Sequence, residues 1–155
     1  MTPEQQTQLE MIKTFPDQVR AATAPLSPAQ LSTPFLQNEW SVAQIVHHLA
    51  DSHMNAFIRM KLILTEENPT LKPYDQEAWA GMADETGPDI QPSLTILTGL
   101  HSRWAIVFAS LSGADWGRTG HHPEIGPVTV ADILASYAQH CQDHLAQMKR
   151  VLAAE

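Results

Sequence analysis

Residues 40–67, WSVAQIVHHLADSHMNAFIRMKLILTEE, decide how this chain folds. Val42, Ile45, Val46, Leu49, Ala56, Met60, Ile63 and Leu64 recur at steps of three and four. That is the period of one apolar face on an α-helix. Ser41 stands just before the first of them and Gln44 three residues later, a pair that can cap a helix N-terminus reciprocally. Asn68-Pro69 closes the segment, because the residue before a proline avoids helical backbone. The reading is one helix from Ser41 to near Glu67, about 40 Å long at 1.5 Å per residue.

The same periodicity extends outward on both sides. Leu9, Ile12, Phe15 and Val19 predict a helix between Pro3 and Ala24, which Pro16 should kink or reset. Pro25, Pro28 and Pro34 make 25–39 a loop with one short turn. From Asn68 to Pro92 no period is sustained. A connection this long is usually functional or disordered, and the rings of Tyr74 and Trp79 favour function. Ser93 is expected to cap a third helix carrying Leu94, Leu97, Leu100, Trp104, Val107, Phe108 and Leu111, which ends at Ser112-Gly113. A loop with Gly117, Gly120, Pro123, Gly126 and Pro127 follows. A fourth helix begins near Thr129, with Ile133, Leu134, Tyr137, Cys141, Leu145, Met148 and Leu152 on its apolar face. Four amphipathic helices with little strand signal predict an all-α fold, a four-helix bundle with a long crossover connection between helices 2 and 3.

Composition narrows the function. A length of 155 residues suits a single domain spanning 1–155. The 17 acidic residues against 9 basic ones give a formal charge of -8, which repels nucleic-acid phosphates. No apolar run approaches the roughly 20 residues that a bilayer requires. The polar, acidic start MTPEQQTQLEM is unlike a targeting segment, so a cytoplasmic protein is expected, away from membranes and nucleic acid. The lone Cys141 excludes an internal disulfide framework and a cysteine-rich zinc site.

Eight histidines stand out: His47, His48, His53, His101, His121, His122, His140 and His144. His140 and His144, one turn apart on one helical face, have the spacing that lets two imidazoles reach one ion. The glutamate that follows the first histidine in zinc proteases is replaced by Cys141. On the second helix, periodicity alone leaves His47, His48 and His53 open as a third ligand. Ser52 and Asn55 lean the choice slightly toward His48. His121 and His122 fall in a loop and should be exposed, and His101 should be a surface or structural residue.

Three segments carry a family resemblance. They are EWSVAQIVHHLADSHMNAFIRMKLILTEENPTLKPYDQEAW, HHPEIGPVTV and YAQHCQDHLAQM. The chain resembles the DinB/YfiT-like superfamily, specifically its YfiT branch of metal-dependent hydrolases, from about Leu26 to Met148. The resemblance implies a four-helix bundle with a three-histidine metal site. Aligned on WSVAQIVHHLAD, the ligand from the second helix falls on His48, and the other two fall on His140 and His144. Where relatives often carry a further histidine, this chain has Asp143. The resemblance also implies a homodimer.

Three neutral imidazoles leave one divalent ion per chain, Zn2+ or Ni2+, with an open position for water or a thiol. Because the YfiT branch resembles bacillithiol transferases, S-transfer from a low-molecular-weight thiol to a small electrophilic substrate is the leading expectation. Hydrolysis of small molecules is the alternative. A stress protein that binds metal or small molecules without turnover, and a dimer-forming bundle with a vestigial triad, are the non-catalytic readings. No protein nucleophile is assigned, and Cys141 is read as a packing residue. Asn55, Arg59, Tyr74, Trp79 and Tyr137 are candidates for the pocket wall, with Arg59 either a carboxylate partner or a plain surface arginine. Asp51 or Asp143 is a candidate to orient a ligand imidazole. Trp40 and Trp104 are expected in the core.

Overall fold

The computed structural model describes residues 1–155. Helix α1 spans Pro3–Thr23, α2 Pro28–Ser32, α3 Val42–Thr65, α4 Gln76–Ala80, α5 Gln91–Ser110 and α6 Val130–Leu152. A 3₁₀ turn at Asp115–Gly117 precedes a two-stranded hairpin, β1 Thr119–His122 and β2 Gly126–Thr129. The four long helices form the bundle. No helix is long and apolar enough to cross a membrane.

The helix starts follow from side-chain chemistry. At α3 the Ser41 hydroxyl accepts the Gln44 N–H at 3.3 Å, and the Gln44 side chain accepts the Ser41 N–H at 3.0 Å. The same reciprocal cap recurs at Thr2–Gln5, Ser27–Gln30 and Thr129–Asp132. Helix α3 stops at Thr65, two residues before the expected end. Asn68 is left-handed there, with φ of 45°, and Pro69 follows.

Three expectations are corrected. Pro16 does not divide the first helix, and α1 continues through it to Thr23. Ser93 is not the cap of α5, which starts at Gln91 with Pro92 in its first turn. The Ser93 hydroxyl bonds His47 Nδ1 at 2.8 Å instead. The segment expected as a bare loop at 117–127 contains the hairpin, paired Thr119 with Thr129 through His122 with Gly126. Its strands have four residues each, and Pro127 and the glycines mask them in the sequence.

Packing fixes the order of the helices. α3 packs against α5 and α6, and α1 packs against the same two. α1 and α3 therefore face each other across the bundle, as do α5 and α6. The long connection between α3 and α5 joins neighbours and contains α4. It is tied to the hairpin through Leu71 N–H to His121 carbonyl and His121 N–H to Pro69 carbonyl, both 2.8 Å. Ile12, Phe15, Ile45, Leu49, Met60, Leu97, Trp104, Phe108, Leu134 and Met148 are all buried in one core.

Strand β1 lies close on α3, and Gly120 makes the approach possible. A Cβ there would come within 2.9 Å of Ile63 Cγ1 and 3.0 Å of Leu71 Cδ2. Gly120→Ala should therefore destabilise the fold by about 1–3 kcal/mol through overpacking. Urea unfolding of the variant against the wild type measures this, and an unchanged midpoint would contradict the close contact.

Candidate metal centre

Two helices carry the cluster. α6 places His140 and His144 one turn apart, and α3 places His48 opposite them. One ring nitrogen from each lies within 4.8 Å of the others. Nε2 of His140 and Nε2 of His144 are 3.1 Å apart. The His48 ring centroid lies 4.9 Å from that of His144 and 5.5 Å from that of His140. Of the three histidines left open on the second helix, His48 is the one that joins the pair. His47 instead spans Ser93 and the Gly87 carbonyl, fastening α3 to the start of α5. His53 is fully buried behind the cluster.

Burial keeps these imidazoles uncharged. Loss of water, reinforced by the His144 charge, lowers His48 to about 4. Burial, then His144 and His48, lowers His140 to about 3. Burial also lowers His144, opposed by its bond to Gln147 and by the Asp143 charge. Neutral imidazole is the form that binds metal. The donor set therefore fits a divalent ion: three uncharged nitrogen ligands converge, and no lysine or arginine stands among them. Closing ring nitrogens from 4.8 Å to the roughly 3.3 Å that bonds of about 2.0–2.1 Å require takes only small side-chain movement.

Above the imidazoles is an open cleft of about 440 Å3. Trp40, Glu39 and Asn38 form one wall, Gln76 and Glu77 of α4 another, and Gln147 and Arg150 of α6 a third. Arg150 pairs with Glu39 at 2.6 Å, and the Trp40 indole N–H donates to Glu77 at 3.3 Å. Trp40, expected in the core, is half-buried and lies 4.7 Å from the His48 ring. Its place directly before the Ser41 cap, two turns ahead of His48, was the available signal.

The remaining candidates lie elsewhere. Asn55 donates to the Asp51 carbonyl, and Arg59 donates to the Lys72 carbonyl at 2.6 Å, bracing the long connection. Tyr74 and Trp79 pack on each other at 4.6 Å. The Tyr137 hydroxyl donates to the Ser52 carbonyl, and its ring sits 5.3 Å from His140, on the core side. None of these five lines the cleft. Tyr137 and Arg59 face a separate cavity of about 190 Å3 with Leu71 and His122. His122 is buried rather than exposed, and His121 is exposed as expected.

Neither expected carboxylate bonds a ligand imidazole. Asp143 accepts from Gln139, and Asp51 lies near Asp84 and His47. Gln147 Oε1 takes the bond from His144 Nδ1 at 2.7 Å, and His53 Nε2 stands 3.0 Å from His140 Nδ1. Gln147 could have been found at three residues past His144. Cys141 is buried with its thiol pushed up by desolvation, and packs in the core. Trp104 is also core, as expected.

A four-helix bundle with three convergent neutral histidines beneath an open cleft defines a class of metal-centre protein. The chain belongs to the DinB superfamily, whose model matches residues 11–148. It is 42% identical over 137 residues to a protein of Oceanobacillus iheyensis, covering 88% of this chain and 79% of the relative. A Bacillus mycoides protein is 41% identical over 140 residues, covering 90% and 80%. Both are described as "Putative metal-dependent hydrolase". The solved structure of YfiT from Bacillus subtilis superimposes with a TM-score of 0.93 at 35% identity, covering 97% of this chain and 87% of that one. It is described as "a probable metal-dependent hydrolase with an unusual four-helix bundle topology".

The depressed histidines link stability to pH. Their folded pKa values lie below the unfolded value of about 6.5. As pH falls, the unfolded chain therefore takes up protons first. The stability is full above 6.5 and drains as pH falls toward the folded values. Glu85, buried near Asp51 and Asp84 and raised to about 7, acts in the opposite sense. In a metal-free Glu85→Gln background, the urea midpoint should fall steadily between roughly pH 6.5 and 5, above the ordinary carboxylate range. A level midpoint across that window would contradict uncharged buried imidazoles.

Proposed function

We propose that the protein is an enzyme in which His48, His140 and His144 would hold a divalent ion, Zn2+ or Ni2+, and present a small nucleophile in its reactive form. The nucleophile of the leading reading is a low-molecular-weight thiol of the bacillithiol type, transferred through sulfur to a small electrophile. The observation that carries the proposal is the convergence of three neutral ring nitrogens at the base of an open cleft. When bound, the ion supplies a positive centre that favours the deprotonated form of a thiol or water in its open position.

The cleft contains no serine, threonine or cysteine among its lining side chains. The reading accordingly draws the attacking group from outside the protein. Arg150, Glu39, Gln76 and Asn38 offer charges and amides to a polar cosubstrate, and the Trp40 ring offers an apolar face. About 440 Å3 lies within the ordinary range for a small-molecule site. Glu77 lines the same space, is not paired with Arg150 as Glu39 is, and would serve as the acceptor for a proton from an incoming nucleophile. Hydrolysis, with water in place of the thiol, is the second reading, and the description of the relatives as metal-dependent hydrolases favours it.

Elemental analysis of the purified protein should find close to one ion per chain, and His144→Ala should lose most of it. Unchanged occupancy in the variant would remove the triad from the proposal. The metal-loaded protein is then incubated with a thiol and a panel of electrophiles, and with the same electrophiles in water alone. A metal-dependent thioether supports transfer, and a metal-dependent hydrolysis product moves the assignment to the second reading. Neither product would leave a binding protein without turnover.

A further inference from the structure

A row of three imidazoles, the half-buried His140 and the buried His53 and His101, runs from the histidine cluster through the bundle core. Nδ1 of His140 lies 3.0 Å from Nε2 of His53. Nδ1 of His53 lies 2.7 Å from Nε2 of His101. Nδ1 of His101 lies 2.6 Å from the carbonyl oxygen of Ile12. His53 and His101 are 0% and 1% exposed, and Phe15 stacks on both rings. No acidic side chain is bonded to any of the three, so each is a neutral ring with one proton.

The far end of the row sets its direction. A carbonyl oxygen only accepts, so His101 must donate from Nδ1. That leaves Nε2 of His101 as an acceptor, so His53 must also donate from Nδ1. Nε2 of His53 is then an acceptor in turn, and His140 must donate from Nδ1. The lone pair of His140 is thereby fixed on Nε2, the atom facing His144 across 3.1 Å.

Pro16 makes the anchor. In an unbroken helix, the N–H of residue 16 would bond the carbonyl of residue 12. Proline has no N–H, so α1 passes through Pro16 with the Ile12 carbonyl lacking its helical partner. His101 supplies the missing donor.

We propose that His53 and His101, anchored on the Ile12 carbonyl that Pro16 leaves free, are positioning residues that lock His140 in its Nδ1–H tautomer and aim its Nε2 lone pair at the metal. The proposal rests on the three-histidine metal centre as the site of function. Neither residue belongs to the three that would hold the ion, and neither lines the cleft. Their effect reaches the centre through the orientation and proton placement of His140.

The test reads proton placement directly. Nitrogen-15 correlation spectra of the histidine rings in the metal-free wild type at pH 7 should show His53, His101 and His140 all protonated at Nδ1. An Nε2–H form at His53 or His140 overturns the proposal, whatever the protein binds. Zn2+ titration then compares two variants. His101→Leu removes the acceptor for His53 and should weaken Zn2+ binding about 10-fold or more. His101→Gln, whose amide oxygen can stand where Nε2 stood, should recover most of that loss. Wild-type affinity in a folded His101→Leu protein overturns the proposal. Should His101→Leu fail to fold by circular dichroism, the wild-type spectra and His101→Gln decide it: mixed tautomers at His140 would refute the lock. A wild type that binds no Zn2+ while showing the expected protonation pattern would refute the metal reading and leave the lock in place.

Discussion

A neutral imidazole has one proton and one lone pair, and it must place both. In water the choice is free. In a dry helical core each ring nitrogen needs a partner of the right kind, and one wrong tautomer sets donor against donor or lone pair against lone pair. This constraint organises the centre of the molecule. His140 faces it most severely, because one of its nitrogens meets His144 and the other meets His53. Gln147 takes the Nδ1–H of His144 with its side-chain oxygen, so the Nε2 lone pairs of His140 and His144 face each other across 3.1 Å, a pairing that a cation between them would satisfy.

The bundle's arrangement meets the constraint with one contribution from each long helix. α6 brings His140, α3 brings His53, α5 brings His101 and α1 brings the Ile12 carbonyl. This works because α3 lies between α5 and α6 while α1 touches those same two from the opposite side. The apolar packing of Phe15, Trp104 and Tyr137 around His53 holds the rings in line. The centre is thus built into the core rather than set on top of it. Its outer face opens to the cleft, where Trp40, Glu77 and Arg150 come from three different parts of the chain.

Much of this was legible in the sequence, for reasons that separate local from distant effects. The Ser41–Gln44 cap is a four-residue event, and the apolar face of α3 is a property of one segment. The His140–His144 pair needs only the pitch of a helix. What the sequence hid depends on how helices are turned against each other. His53, His101 and Ile12 are far apart in the chain, and no spacing rule connects them. Periodicity assigned Ser93 to a helix cap because serine often caps, but a partner on α3 claimed its hydroxyl. Arg59 had the reach for a substrate, yet a backbone carbonyl of the long connection took it first. The hairpin escaped notice because its strands are short and pair partly with the loop at Pro69–Leu71.

Pro16 looked like a flaw in α1, and its influence extends past geometry to traffic. The amide oxygen at the end of the imidazole row neither ionises nor hands on hydrogen at ordinary pH. Along that line the row is consequently a blind alley: a proton passed from ring to ring meets, past His101, an acceptor that cannot carry it onward.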